Sequence, residues 1–426
     1  MTASEQPASA PPGRPDRRAA IALLLAGALC AGMGQTIIFS VLPPLAREIG
    51  LSNLQTGLIF MVSAMFWVVC GPRWGRASDR GGRKLFIVAG LLGFGVSMAL
   101  FATSIRFALL GVLSGAPLYA LLIATRSIYG IIGSAGPPAA QAYIADRTSA
   151  RDRASGMAGF SAAFGLGAML GPGFGAAAAV FGPVAPFYAM AFLSAVVAMA
   201  VFIYLPERTP PKSKRPPRNL RAFDPRLTMI LAYGLVSGIV NAIPMQTIGF
   251  YFIDALGVST EEAPQIVGVG LMGGAMASLF SQLVIVQRFR LQPRLLMRLA
   301  PALFVAGHLM IWTLPALGTV IFGIVIAGFG AGLAVPGYNA AASLAVEREE
   351  QGAAMGLANA AGASGFIVAP LVGMNLYSLS PQAPYIFTMS MALALGALAF
   401  SSRAIGRAQK LGDETRDERP ASAPYR

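Results

Sequence analysis

Long stretches of this chain contain no charged residue, and this segregation of charge constrains the fold more than any other feature. Runs without Asp, Glu, Lys or Arg cover residues 19–46, 49–72, 85–105, 154–206, 227–253, 263–287, 299–346 and 351–402. A helix of about 20 apolar residues crosses the ~30 Å hydrocarbon layer of a bilayer. Three of the runs are about twice that long, and each contains a turn-like segment, at Gly182-Pro183, at 315–318 and at 378–384. The runs therefore predict eleven membrane-spanning helices.

A twelfth span is predicted within residues 107–145, which only Arg126 interrupts. This stretch can hold one span or two, and the distribution of basic residues favours one. With a single span, all 32 Lys and Arg residues fall on the cytoplasmic side except Arg47, Arg106 and Arg126. Basic residues stay in the cytoplasm because their translocation is costly. The prediction is an all-α, multi-pass protein of the cell inner membrane with 12 spans and both termini cytoplasmic.

Composition excludes several other classes of protein. The chain is 55% hydrophobic and 12% charged, too apolar for a soluble domain. Its net charge of +14 is spread over many loops, which argues against nucleic-acid binding. Cys30 and Cys70 both lie in apolar runs, and the chain has one His. We therefore expect no disulfide framework, no metal site, no cofactor and no enzymatic activity.

The segment 206–226 is Pro-rich and basic, and divides the spans into six and six. We predict a cytoplasmic tail at 1–18, a six-helix bundle at 19–206, a linker at 207–226, a second bundle at 227–403 and a cytoplasmic tail at 404–426. Gly130, Gly156 and Pro172 have counterparts about 200 residues later, which indicates a duplication. Chance similarity between Gly/Ala-rich helices is the alternative. Two such repeats place a binding site at the interface between the halves.

The segment after the second span reads GRASDRGGRK, from Gly75 to Lys84. Glycine at 82 permits a tight turn, and Asp79 can accept charge-assisted hydrogen bonds from nearby arginines. The segment resembles the G-x-L-A-D-R-x-G-R-K signature of the major facilitator superfamily, with Ala77 where that family favours Leu. An ordinary basic loop is the alternative interpretation. The resemblance implies a cytoplasmic, proton-linked latch between the halves, formed by Gly75, Asp79, Arg80, Gly82, Arg83, Lys84 and Asp146.

Arg126 begins a second pattern, which continues through Tyr129, Gly130 and Gly133 to Asp146 and resembles the fourth helix of the same family. A charged side chain at mid-membrane costs about 2.5–3.5 kcal/mol on insertion scales, so it usually faces a cavity or a partner. All 18 Asp and Glu residues fall in loops, tails or helix ends, which leaves Arg126 without an obvious counter-ion. It can bind an anionic ligand, or it can be a structural tie to carbonyls and water.

A third pattern lies in the fifth span and contains the hinge candidates Gly167, Gly171, Pro172, Gly173 and Gly175. Small residues allow close helix packing, and Pro172 kinks the helix. The segment resembles the G-x(3)-G-P-x-x-G-G signature of antiporters, with Ala176 in place of the last Gly. The resemblance covers residues 19–403 and implies the twelve-span drug:proton antiporter branch of the superfamily.

In the fold of that family, helices 1, 4, 7 and 10 line a central cavity. The implied substrate-binding residues are Gln35, Phe39, Arg126, Tyr129, Asn241, Gln246, Phe250, Tyr338 and Asn339, with Asn359 and Phe366 on helix 11 as additions. Each amide can instead form an inter-helix hydrogen bond. His308 lies in helix 9, which is peripheral in this fold, and we interpret it as structural or lipid-facing and neutral.

Drug:proton antiporters of this branch commonly have an acidic residue in helix 1, and residues 19–46 have none. Asp79 is the best remaining carboxylate for proton-linked gating, with Asp146 beside it and Asp254 as a weaker candidate. The leading hypothesis is a monomeric secondary transporter that exports amphipathic compounds in exchange for protons. The rival is a carrier of an organic anion or metabolite that binds Arg126. A channel is a further class of membrane protein.

Overall fold

The computed structural model describes residues 17–147, 150–207, 224–289, 291–347 and 350–401. The predicted tails at 1–18 and 404–426 lie outside the described residues, except that Arg17 and Arg18 already belong to the first helix. Of the predicted linker at 207–226, residues 208–223 also lie outside them.

The described residues form twelve helices that are long and apolar enough to span a membrane, as predicted. The first six are α1 Arg17–Glu48, α2 Asn53–Gly81, α3 Lys84–Leu109, α4 Gly115–Asp146, α5 Ala150–Ala179 and α6 Ala185–Tyr204. The other six are α7 Thr228–Asp254, α8 Ala263–Phe289, α9 Pro293–Thr313, α10 Leu317–Leu344, α11 Gln351–Leu379 and α12 Ala383–Ser401. Arg126 lies inside the single helix α4, so residues 107–145 contain one span and not two.

The helix ends follow from local sequence. Ser52 and Gln55 form a capping box at the start of α2, in which each side chain hydrogen-bonds to the backbone N–H of the other. Pro186, Pro264 and Pro293 occupy first turns, where the missing N–H of proline has no helical partner to lose. The three double-length apolar runs break within the predicted turn segments, between α5 and α6, α9 and α10, and α11 and α12.

Glycines set the closest helix crossings in each half. A Cβ on Gly167 in α5 would lie 2.0 Å from the carbonyl oxygen of Leu29 in α1, so the two backbones touch. A Cβ on Gly238 in α7 would lie 2.0 Å from the carbonyl oxygen of Gly362 in α11. The pairs α1/α5 and α7/α11 hold the same positions in the two sets of six helices. Small residues thus allow the helices to pack closely, which matters in a membrane because the hydrophobic effect does not drive helices together in lipid.

The two sets of six helices meet at one end of the bundle, which we call the Arg47 end; the opposite end is the Asp79 end. A Cβ on Gly249 in α7 would lie 2.5 Å from Pro43 in α1, and one on Gly57 in α2 would lie 2.9 Å from Met374 in α11. At the same end, the Arg47 guanidinium forms an ion pair with the Asp254 carboxylate. The halves are therefore in tight contact at the Arg47 end.

Candidate functional site

A cavity of about 310 Å³ lies between the two halves. It is built at mid-length of α1 and α7 and extends towards α5, α8, α9, α10 and α11. Its polar lining consists of Gln35, Thr36, Asn241, Ser278 and His308, and its aromatic lining of Phe39, Phe164, Phe304 and Phe366. None of these described lining residues is Asp, Glu, Lys or Arg. The cavity is thus apolar with isolated hydrogen-bonding groups, as is typical of small-molecule sites.

Three of the substrate-binding candidates from the sequence line this cavity: Gln35, Phe39 and Asn241. Phe39 packs between Phe60 and Phe366, at ring-centroid distances of 5.1 Å and 6.3 Å. Phe366, the addition from helix 11, also lines the cavity. These aromatic rings connect the first half to the second on one wall.

Arg126 lies elsewhere, in the interior of the first half. It is 4% exposed, and its guanidinium carbon is 4.8 Å from the ring centroid of Tyr129 and 5.8 Å from that of Phe101. One guanidinium nitrogen lies 3.9 Å from the sulfur of Met98, and Nε has no hydrogen-bond partner among the described residues. Aromatic faces attract a desolvated cation, which explains how the charge is tolerated there.

Tyr129 packs against Trp67 and Phe94, at centroid distances of 5.0 Å and 5.4 Å. With Trp67 it borders a second cavity of about 40 Å³ that lies wholly within the first half. Tyr129 and Arg126 are therefore neighbours of each other but do not line the larger cavity.

The remaining candidates lie outside the cavity wall. Gln246 is 3% exposed, and neither its Oε1 nor its Nε2 has a partner among the described residues. Phe250 is buried under Arg47, whose guanidinium carbon is 5.1 Å from the ring centroid. Tyr338 packs against Tyr233 at 6.5 Å. Asn339 donates from Nδ2 to Oδ1 of Asn359 at 3.0 Å, the inter-helix hydrogen bond that was the alternative to ligand binding.

Arg83 is the centre of the predicted latch. Its guanidinium forms ion pairs with Asp79 and, from Nε at 3.3 Å, with Asp146, and Nη1 donates to Ser78 Oγ at 2.7 Å. The backbone N–H of Arg83 donates to Glu207 at 3.2 Å. Its side chain is 8% exposed, against 57% for Asp79, so the network surrounds a buried cation.

Other latch candidates have smaller roles in this network. Gly82 has φ 90° and lies so close to Glu207 that a Cβ would be 2.6 Å from the carboxylate, which explains the need for glycine. Gly75 faces Pro138 at an ordinary contact distance, and Lys84 lies over the ring of Phe202. Arg80 is exposed. The motif revealed neither Glu207 nor Ser78, because Glu207 lies more than 120 residues away and Ser78 stands where the signature has Ala.

Of the hinge candidates in α5, Gly167 and Gly171 pack on α1, and Gly175 does so one turn later against Ile37. Gly173 faces the other half, where a Cβ would lie 2.8 Å from the sulfur of Met272 in α8. Pro172 lies between these two faces and lines the cavity. The helix therefore contacts α1 on one side and the second half on the other.

The sequence motifs did not indicate two ionic clusters that the structure contains. At the Arg47 end, Asp254 pairs with Arg47 and accepts a hydrogen bond from Tyr377 Oη at 2.9 Å. At the Asp79 end, Arg226 pairs with Asp224 at 2.8 Å and with Glu350 at 3.0 Å, and thus joins the starts of α7 and α11. The hydrogen bonds from Arg226 lower the pKa of Asp224 and, reciprocally, raise the pKa of Arg226.

His308 also departs from its expected place. It is 1% exposed and lines the cavity, although α9 was interpreted as peripheral and the residue as structural or lipid-facing. The lipid-facing interpretation is therefore wrong. The sequence signal that could have indicated the cavity position of His308 is the series of small residues on α10, which lets the cavity extend as far as α9. No group of three or more His, Cys, Asp or Glu that could hold a metal ion occurs among the described residues.

Twelve membrane-spanning helices around a cavity between two halves define a multi-pass membrane transporter. The chain belongs to the major facilitator superfamily, since residues 24–318 and 290–424 match the model of that family. Its fold and family are those of transporters and not of enzymes.

Among curated proteins, the chain is similar to several resistance proteins. It is 32% identical over 219 residues to the class C tetracycline resistance protein of Escherichia coli, spanning about half the length of each, 51% of this chain and 52% of that protein. It is 25% identical over 390 residues to multidrug resistance protein 1 of Bacillus subtilis, covering 88% of this chain and 94% of the other. It is 24% identical to the quinolone resistance protein NorA of Staphylococcus aureus, covering 85% and 91%.

Solved structures share the fold. A bacterial homologue of the human lysosomal transporter Spinster, in an inward-facing and occupied conformation, aligns with a TM-score of 0.68 at 15% identity, covering 96% of this chain and 100% of that one. The human organic anion transporter MFSD10 aligns with a TM-score of 0.64 at 22% identity, covering 91% and 100%. At these identities the likeness concerns the fold alone.

Proposed function

We propose that this chain exports amphipathic organic compounds across the cell inner membrane by alternating access, driven by protons. The observation that carries the proposal is the cavity between the halves, whose lining is aromatic and apolar with a few separated hydrogen-bonding groups. Such a lining suits ligands with a large apolar surface and few polar atoms. The names of the three resistance relatives favour drugs as the substrate class.

The orientation follows from the distribution of basic residues, which puts the Asp79 end and both termini in the cytoplasm. The close contacts at the Arg47 end then correspond to a barrier on the outer side of the membrane. Export requires this barrier to open while the halves close at the Asp79 end. The cavity is complete within one chain, which favours a functional monomer.

Asp79 is the proposed proton-linked group. No described residue lining the cavity is a carboxylate, so protons and substrate do not compete there for one acidic site. Asp79 is 57% exposed and pairs with the buried Arg83, so protonation from water would release one partner of that cation. Asp146 would retain the second contact with Arg83.

The test of proton coupling is Asp79→Asn, measured as uptake of ethidium into everted membrane vesicles, whose cytoplasmic face points outwards, with and without a pH gradient. We expect the gradient-driven rate to fall roughly tenfold, with binding of ethidium retained. Glu48→Gln is the matched control, because Glu48 is an exposed carboxylate at the Arg47 end. An Asp79→Asn protein that keeps the wild-type gradient-driven rate removes Asp79 from the mechanism.

The alternative is a carrier of organic anions that bind Arg126, since the guanidinium contacts aromatic rings and sulfur and has an unpartnered Nε. Binding of radiolabelled p-aminohippurate to wild type, Arg126→Ala and Arg126→Lys tests it. This alternative expects Ala to abolish binding and Lys to retain part of it, while Arg106→Ala, an exposed arginine, has no effect. Equal affinity in Arg126→Ala and wild type refutes it.

A further inference from the structure

His308 reaches the cavity because two neighbouring helices approach each other unusually closely. A Cβ on Gly307 in α9 would lie 2.5 Å from the carbonyl oxygen of Gly323 in α10, so the two backbones touch there. On the next turns of α10, Ala327, Gly328 and Ala331 line the cavity with side chains of one carbon or none. The cavity therefore extends past α10 to the helix behind it.

The imidazole of His308 has an unmet capacity for hydrogen bonding. The residue is 1% exposed, and Nδ1 has no hydrogen-bond partner in the described part of the chain. Buried side-chain nitrogens with a purely structural role are normally paired, since leaving one unpaired is costly. Because His308 lines the cavity, a molecule bound there is the partner that the site offers to this imidazole.

Charged groups do not account for the position of His308. Of the helices around it, α10 and α12 carry one titratable group each, Tyr338 and Tyr385. Helix α7 carries Tyr233, Tyr251 and Asp254, and Asp254 is paired with Arg47 at the Arg47 end. The hydroxyl of Tyr251 donates to the carbonyl of Ile311, and that of Tyr385 contacts Thr247. The cations of α9, Arg294 and Arg298, lie in its first two turns. With no carboxylate beside it among the described residues, His308 is suited to act as a neutral donor and acceptor.

Phe304, one turn before His308, completes an aromatic surface. The two rings are stacked, with centroids 6.2 Å apart and an interplanar angle of 22°, and both line the cavity. A planar aromatic molecule can lie against this surface while one of its polar hydrogens meets the imidazole nitrogen. Phe304 itself is 1% exposed, so its position is fixed by packing.

We propose that Phe304 and His308 form a substrate subsite that selects planar aromatic compounds bearing an N–H or O–H donor. The proposal rests on the proposed export function, and it names the chemistry that one wall of the cavity recognises. A substrate entering this subsite displaces water from His308, so only a substrate that replaces the lost hydrogen bond keeps its affinity. The aromatic lining also attracts a delocalised positive charge.

Two probes separate the requirement for a planar ring with an N–H or O–H donor from the attraction of a positive charge. Ethidium is a planar aromatic cation with two aromatic amino groups, whereas tetraphenylphosphonium is a cation that is not planar and has no N–H or O–H. Binding of each to purified protein in nanodiscs is measured for wild type, His308→Leu, His308→Gln and Phe304→Leu. Leu309→Ala is the matched control, because Leu309 is adjacent in sequence but 40% exposed on the outside of the helix.

We expect His308→Leu to weaken ethidium binding on the order of tenfold, because one buried hydrogen bond is lost. His308→Gln retains a donor and an acceptor and should lose less, and Phe304→Leu should weaken ethidium through loss of stacking. Tetraphenylphosphonium should bind all variants like wild type.

Three results overturn the subsite. The first is wild-type ethidium affinity in His308→Leu, and the second is an equal loss for both probes, which indicates a general packing defect. The third is a loss in His308→Gln as large as in His308→Leu, which indicates that hydrogen bonding by residue 308 does not determine the affinity. If the wild type binds neither probe, the proposed export of amphipathic compounds fails first, and that result is distinct from the other three.

Discussion

Replacement of Asp254 by Asn should weaken closure of the bundle at the Arg47 end. Arg47 to Asp254 is the one ion pair recorded between the two halves in the described part of the chain. Asp254 also accepts a hydrogen bond from Tyr377, while Arg47 lies over Phe250. Asn has nearly the shape of Asp and can still accept from Tyr377, so the substitution removes the charge and little else.

The expected magnitude follows from the partial burial of the pair. The side chains of Arg47 and Asp254 are 31% and 29% exposed. Fully exposed pairs contribute about 0–1 kcal/mol, and hydrogen bonds to charged groups about 1.5–3 kcal/mol. A partly exposed pair should lie between these values, at about 1–2 kcal/mol. Loss of that free energy shifts the equilibrium between the closed and the open arrangement of the Arg47 end roughly fivefold to thirtyfold towards the open one.

The assay is a distance distribution between spin labels at positions 54 and 260, which lie on opposite halves at this end, after replacement of Cys30 and Cys70. Asp254→Asn should increase the population at long distance, whereas Asp254→Glu, which keeps the charge, should change it less. Arg106→Gln controls for loss of an exposed charge. An Asp254→Asn distribution identical to wild type would mean that the ion pair does not stabilise the closed arrangement, and the reasoning would be refuted.

Two further predictions concern stability. Gly167→Ala places a Cβ 2.0 Å from the backbone of α1, where neither helix can move without loss of packing, so the melting temperature should fall by several degrees. Gly356→Ala is the control, because a Cβ there meets nothing within 4 Å. An equal effect of the two substitutions contradicts the packing argument. Arg226 lowers the pKa of Asp224 below its ordinary 3.8, so this carboxylate stabilises the fold above about pH 4 and loses its effect as the pH falls further. The difference in melting temperature between wild type and Asp224→Asn should therefore shrink from pH 6 to pH 3, and a difference that grows on acidification contradicts the assignment.

The twelve spans could be predicted because membrane insertion imposes a long, strong signal on sequence: about 20 apolar residues, with basic residues on one side. The turn at Gly182 and the single span around Arg126 follow from the same signal. Gln35, Phe39 and Asn241 were found in the cavity because they are polar or aromatic at mid-length of helices that line it in this family.

The direction in which Arg126 points could not be predicted. Thr125, Arg126 and Ser127 are consecutive, so polar side chains lie on more than one face of the helix. Periodicity therefore does not distinguish the face towards the cavity from the face towards Met98 and Phe101. His308 was misjudged for a related reason, because the cavity reaches it only where Gly307 and Gly323 bring two helices into backbone contact. Charge counting predicted that Arg47 lies on the outer side but gave no information on its pairing with Asp254, more than 200 residues away.

The measurement that tests the central claim most directly is uphill transport by the purified protein in proteoliposomes. Ethidium is supplied outside, and a pH gradient is imposed with the lumen acidic, so that protons leave as substrate enters through molecules inserted with the Asp79 end outwards. The account predicts saturable accumulation above the external concentration, collapse of that accumulation when an ionophore dissipates the gradient, and faster exchange when unlabelled substrate fills the lumen. Uptake that stops at equilibrium with and without the gradient, and that does not saturate, would contradict it.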